Sequence, residues 1–147
     1  MHVDIVTAIV IDLPTADVAT FAMEPDNAPR WYVNIATVEW RTPRPLQTGS
    51  RIAFIAHFLG RRLAYTYEIT ELVEGRRLRM QTTEGPFPME TSYEFEPLGT
   101  AQCRMTLRNR GRPTGFSRLL TPFVRVAIRR ANGKDLVALK TLLERCV

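Results

Sequence analysis

Between Ala36 and Arg110, apolar and polar residues alternate with a period of two, and only short turn signals interrupt the alternation. The pattern predicts strands over 36–42, 50–58, 61–71, 76–83, 88–96 and 101–110. The breaks fall at Pro43 to Gly49, Leu59-Gly60, Glu74-Gly75, Gly85-Pro86 and Leu98-Gly99. A parallel crossover needs a dozen or more residues, so connections this short imply consecutive antiparallel hairpins. Residues 2–12 add another strand, rich in Val and Ile, with Ile5, Thr7, Ile9 and Ile11 on one face. The expected sheet has about seven strands.

Past the loop Gly111-Arg112-Pro113-Thr114-Gly115 the period changes. Leu119, Phe123, Ala127, Ala131, Leu136, Leu139 and Leu143 recur at helical spacing, predicting a helix from about 117–121 to 145. Thr121-Pro122 suits its start, and Gly133 is a weak point within it. Two short helices are expected after the first strand. One covers 14–23, with Pro14 in its first turn and Val18, Phe21 and Ala22 on one side. The other carries Trp31, Tyr32 and Ile35, and Asp26 or Asn27 can cap it.

Parity fixes which side chains meet. Met89, Thr91, Tyr93 and Phe95 share a face, as do Cys103, Met105 and Leu107, so these odd-numbered residues point inward together. A loop at Leu98-Gly99-Thr100 then sets Glu94 against Arg104 and Glu90 against Arg108 on the outer face. The inner face must be covered. Seven strands about 4.8 Å apart span about 34 Å, whereas a helix is only about 10–12 Å across. The sheet must therefore curl around its one long helix. Large apolar groups on the inner face alternate with Tyr65, Tyr67, Thr82, Thr91, Tyr93 and Asn109. A buried hydroxyl or amide without a partner costs about 1–3 kcal/mol. A cavity that holds solvent or ligand supplies partners; a dry core in which the tyrosines bond to protein is the other arrangement.

The chain has 147 residues, which suits one domain over 1–147. An apolar share of 45% excludes a disordered protein. Net charge is +5, unevenly spread: residues 1–103 carry −4 and residues 104–147 carry +9, with arginine supplying 18 of the 20 basic groups. That basic segment suits either a solvated face or an anionic partner. Cys103 and Cys146 form no disulfide framework, and no secretory leader or membrane-length apolar run is visible, so the expected location is cytoplasmic. Two histidines and no C-x-x-C spacing leave no metal constellation, and no cofactor fingerprint is present, so neither metal nor cofactor is expected. His57 falls on the outer face and is read as a surface residue. No inward acid or histidine stands out as a base. Aromatic residues alternate toward the inside, away from the arginines, which argues against nucleic acid.

The run Ile9-Val10-Ile11-Asp12-Leu13-Pro14 leads into the first short helix, and Trp31 follows in the second. Gly49-Ser50-Arg51, Tyr93-Glu94-Phe95-Glu96-Pro97, Gly99-Thr100 and the stretch Leu136 to Glu144 complete a pattern covering nearly the whole chain. The sequence resembles the START-like (SRPBCC) superfamily, in its polyketide cyclase/dehydrase and lipid-transport branch. The resemblance implies an α+β helix-grip fold, with a curved antiparallel sheet wrapped around a long C-terminal helix. It also implies binding, or transport, of a hydrophobic small molecule or lipid between sheet and helix. The alternative is a cofactor-independent cyclase, aromatase or dehydratase in the same cavity, with Tyr65, Tyr67, Tyr93 and Asn109 as hydrogen-bond donors. Fold alone does not choose between them.

The expected ligand contacts from the sheet are Phe54, Phe58, Tyr65, Tyr67, Met80 and Met89, joined by Thr91 and Tyr93. Trp31 is expected to close one end. Phe116, Leu120 and Phe123 are expected to line the helix side, with the loop 111–115 gating the entrance. The basic helix suits a transient contact with a membrane surface, or a homodimer.

Overall fold

The computed structural model describes residues 3–58, 60–85, 88–112 and 121–145, and of Phe58 and Thr121 the backbone only. The predicted Phe116, Leu120, most of the gating loop and Cys146 lie outside the described residues. Seven strands form one antiparallel sheet: β1 (Val3–Ile11), β2 (Ile35–Trp40), β3 (Arg51–Phe58), β4 (Arg61–Val73), β5 (Arg77–Glu84), β6 (Met89–Pro97) and β7 (Cys103–Gly111). The spatial order is β1-β7-β6-β5-β4-β3-β2, so six strands are consecutive hairpins and β1 closes on the last of them. Between β1 and β2 lie α1 (Thr15–Met23), a 3-10 turn (Pro25–Asn27) and α2 (Ala28–Trp31). The long helix α3 spans Thr121–Arg145. This is the helix-grip architecture.

The sheet bends as its width requires. Two register shifts between β4 and β5 each insert an extra residue, Thr83 on β5 opposite Thr66 and Tyr67, and Thr70 on β4 between Ile69 and Glu71, which increases local twist. The predicted strand ends hold to within two residues.

The β6–β7 register is two residues away from the expected one. Glu96 faces Arg104 and Glu90 faces Arg110, while Arg108 lies opposite Ser92. The turn is longer than Leu98-Gly99-Thr100, with Leu98 N–H donating to Gln102 O at 2.9 Å. A shift of two preserves parity, so every inward residue stays inward. Arg108 turns instead to β1, donating to both Asp4 oxygens at 2.9 and 2.7 Å. Arg51–Glu68 and Arg77–Glu94, each 3.2 Å apart, extend the paired outer surface. The arginines of the sheet are thus largely neutralised by its own carboxylates.

Capping also differs from the expectation. Neither Asp26 nor Asn27 caps α2 through its side chain. Asp26 accepts from Trp40 Nε1 at 2.9 Å and from Arg44 at 2.6 Å, and Glu24 accepts from Asp26 N–H at the start of the 3-10 turn. Pro14 sits just outside α1, as its N-terminal flanking residue.

The main core joins α1, α2, the C-terminal half of α3, the end of β1 and the inner face of β3–β7, with Ile11, Trp31, Ile69, Met105, Leu107 and Leu139 almost fully enclosed. A smaller cluster, Val3, Ile5, Val124 and Ile128, seats the N-terminal half of α3 on β1. At its other end Lys140 Nζ donates to Val10 O at 2.8 Å, and Glu144 accepts from Asp12 N–H at 2.9 Å. Both ends of α3 are therefore tied to the first strand. Its exposed side carries Arg125, Arg129, Arg130 and Lys134, which make no ion pair among the described residues.

Gly133 lies inside α3, and a β-carbon there meets no atom within 4 Å. Gly133→Ala is expected to stabilise the protein by about 1 kcal/mol, because glycine loses more backbone freedom in a helix. Thermal unfolding checks this; an unchanged or lower midpoint contradicts it.

Candidate ligand-binding site

One part of the trough is filled and another is not. α1 packs over β6 and β7, and Phe95 and Met105 are buried there in solid core. Farther along, under the N-terminal half of α3, a cavity of about 150 Å³ remains and opens partly to solvent.

The sheet lines it from the inward positions of successive strands. β3 contributes Phe54 and Ala56, β4 contributes Leu63, Tyr65 and Tyr67, and β5 contributes Met80. β6 adds Met89, Thr91 and Tyr93, and β7 adds Asn109. Alternation alone places these residues on one surface. Opposite them stand Ile128, Ala131, Asn132 and Asp135 of α3, at spacings of three and four, hence on one helical face. Tyr32, Asn34 and Ile35 close the α2 end.

Of the twelve predicted contacts, the structure brings seven to the cavity: Phe54, Tyr65, Tyr67, Met80, Met89, Thr91 and Tyr93. Trp31 lies one layer behind. It is 1% exposed, and its ring centroid sits 4.1 Å from that of Tyr32 and 5.7 Å from that of Tyr93. It supports the cavity wall from outside. Phe123 is 72% exposed and is not part of the lining. Its neighbour Val124 takes the inward position and is buried. Gly85 backs Tyr65: a β-carbon there would lie 2.6 Å from the ring, so glycine lets the chain pass against it.

Polar groups of the sheet and of α3 are linked by hydrogen bonds. Tyr32 and Tyr93 share a hydroxyl–hydroxyl hydrogen bond of 2.5 Å. The Thr91 hydroxyl lies 2.6 Å from Asn109 Oδ1 and 3.4 Å from the Tyr67 hydroxyl. A hydroxyl has one proton, so Thr91 donates to Asn109 and accepts from Tyr67. Asn109 Nδ2 then donates to Asn132 Oδ1 at 3.1 Å. Asn132 Nδ2 is buried without a partner among the described residues.

Asp135 stands in the lining, although the sequence singles out no inward acid as a base. It is 3% exposed, and its Oδ1 accepts from Val33 N–H at 2.8 Å. Burial pushes its carboxyl up to about 7, against the opposing pull of that N–H. Burial also raises the Tyr32, Tyr65, Tyr67 and Tyr93 phenols. At neutral pH the phenols are hydrogen-bonding alcohols, and Asp135 alone in the lining is poised to exchange a proton. A signal for it exists in the sequence. Asn132 and Asp135 stand three apart in the stripe that also carries Ala131, Leu136 and Leu139, where polar residues interrupt an apolar face.

His57 is exposed on the outer parity of β3, as expected. Cys103 is a buried free thiol whose proton is held more tightly by burial. Among the described residues no group of His, Cys, Asp and Glu could hold a metal ion. No helix among them is long and apolar enough to cross a membrane.

The curved sheet grips the long helix over a cavity of mixed apolar and polar lining. The family model for polyketide cyclases, dehydrases and lipid-transport proteins matches residues 2–144, and the chain belongs to this family. Its fold is similar to a START superfamily protein from Mycobacterium smegmatis, with a TM-score of 0.86, 12% identity and full coverage of both chains. It is also similar to an aromatase/cyclase from a Streptomyces species, with a TM-score of 0.84 and 12% identity over 99% of this chain and 95% of that one. A major latex-like protein of Panax ginseng gives a TM-score of 0.70 and 12% identity, over 98% and 96%. At these identities the likeness is one of fold. No curated protein sequence matches significantly.

Proposed function

We propose that this protein binds a hydrophobic small molecule in the cavity between the sheet and α3. The observation that carries the reading is that cavity: about 150 Å³ left open in an otherwise filled core, with a few polar groups set in an apolar lining. Ligand sites are usually preformed concavities, mostly apolar, with a few fixed polar anchors. Ala131 faces the cavity from α3 and is half-buried, so a larger side chain can enter the void without displacing core. Ala131→Phe is expected to leave folding cooperative and to abolish retention of any co-purifying or added apolar ligand. Native mass spectrometry of the purified protein reads the outcome; full retention by the variant places the ligand elsewhere.

Asp135 favours a second reading, cyclisation or dehydration without a cofactor. A carboxyl near neutrality exchanges protons efficiently at neutral pH. The Tyr32–Tyr93 pair and Asn109 lie in the same lining and would polarise a carbonyl. Turnover separates the readings. If the protein is catalytic, Asp135→Asn lowers kcat far more than it weakens binding.

A further inference from the structure

We infer that the cavity is built for an uncharged molecule that places about one ring inside, offers a carbonyl-type acceptor to Asn132 and a hydroxyl to Asp135, and bears no carboxylate there. The inference rests on the cavity being a ligand site, and it adds the chemistry of the ligand.

Size comes first. A cavity of about 150 Å³ holds a benzene-sized group. The opening leaves room for the remainder of a longer molecule to project outward.

Charge comes second. Among the described residues the lining contains no Arg, Lys or His. The arginines of β7 sit on the opposite parity from Asn109: Arg108 is bonded to Asp4 and Arg110 to Glu90. The ionisable groups facing the void are four phenols and Asp135. An anion brought inside would lose its hydration, meet no cation and lie beside a carboxyl. Burying an unpaired charge is among the costliest changes in a protein interior. Fatty acids and aromatic acids are thereby disfavoured, unless their charged end stays outside.

The hydrogen bonds supply orientation. The Tyr67–Thr91–Asn109–Asn132 relay runs in one direction, each group giving its proton to the next. Such chains polarise their members, and this one ends in an amide N–H that no described residue receives. Asn132 is 4% exposed and belongs to the lining, so an acceptor brought into the cavity can satisfy it. One turn along the helix, Asp135 has an oxygen beyond the one held by Val33 N–H. A molecule bearing a carbonyl near a hydroxyl matches both groups.

Four probes of similar size test this at pH 7.5 by calorimetry: 2′-hydroxyacetophenone, acetophenone, ethylbenzene and salicylate. Hydroxyacetophenone is expected to bind tightest. Acetophenone should bind roughly 10-fold tighter than ethylbenzene, the value of one hydrogen bond to an orphaned donor. Salicylate should bind at least 10-fold more weakly than hydroxyacetophenone. Asn132→Leu should erase the preference for acetophenone over ethylbenzene while keeping ethylbenzene binding. If that variant does not fold, the ranking on the native protein decides alone. Ala131→Phe separates two kinds of failure. If it blocks binding but salicylate equals hydroxyacetophenone, or ethylbenzene equals acetophenone, the inferred ligand chemistry is wrong and the cavity reading stands. If it blocks nothing, the cavity reading itself is wrong.

Discussion

Asp135→Asn is expected to make the protein more stable at pH 8 and less stable near pH 4. A carboxyl whose folded value is about 7, against an ordinary 3.8, favours the proton in the folded state. Below pH 4 both states hold that proton and burial of the group costs nothing extra. As pH rises from 4 to 7 the unfolded chain ionises first, so the folded state loses ground. Above pH 7 both are ionised and the penalty is constant. Each tenfold difference in proton affinity between the two states corresponds to about 1.4 kcal/mol, so the penalty reaches about 4 kcal/mol at most. Asparagine keeps the acceptor for Val33 N–H but buries an amide N–H₂, which costs about 1–3 kcal/mol. The expected net gain at pH 8 is about 1–3 kcal/mol, or roughly 3–10 °C in Tm for a chain of this size. Melting curves at the two pH values check it. A gain of equal size at pH 4 and pH 8 would mean that charge burial is not the cause.

Trp31→Ala is expected to cost about 3–5 kcal/mol, the usual penalty for emptying a large aromatic site in a core. Trp31 is almost fully enclosed and stacks behind Tyr32 and Tyr93, whose hydroxyls meet in the cavity wall. Losing it removes both packing and the support that aims those hydroxyls. Trp31→Phe should be much milder, because the indole Nε1 has no hydrogen-bond partner among the described residues to lose. Denaturant unfolding orders the three proteins. Ligand binding supplies an independent check, since Trp31 does not line the void: the Phe variant should keep ligand affinity within a few fold, and a large loss would make Trp31 a direct contact.

The sheet is legible in the sequence because period-two alternation and short breaks leave few arrangements open. The inward faces of β4, β6 and β7 can be read residue by residue, and they supply most of the cavity lining. What the pattern does not fix is the amount of slip that conserves parity. A shift of two leaves Tyr93 and Phe95 inward, yet moves Arg104 from Glu94 to Glu96. Outer-face ion pairs contribute about 0.2–1 kcal/mol and do not choose between such registers unaided. On the helix the apolar stripe is plain but its rotation is not. Phe123 suits the inner face by hydrophobicity, whereas Val124 takes the inward place and leaves the phenyl ring outside. Hydrophobic periodicity counts apolar residues and overlooks a lone carboxyl among them, which hides Asp135. Spacing brings Trp31 toward one end of the cavity but one layer too near. Its depth depends on Tyr32 lying between it and the void, which spacing does not reveal.

The pairing of β1 with β7, Val3 opposite Gly111, has a consequence for synthesis. The first strand leaves the ribosome long before its sheet neighbour β7 exists, and the helix that clasps it follows later still. Such distant partners are slow to meet, and an unpaired apolar strand invites aggregation while it waits. Fusions or truncations that delay or remove β7 and α3 should therefore lower yield far more than equal changes at the amino end of α1.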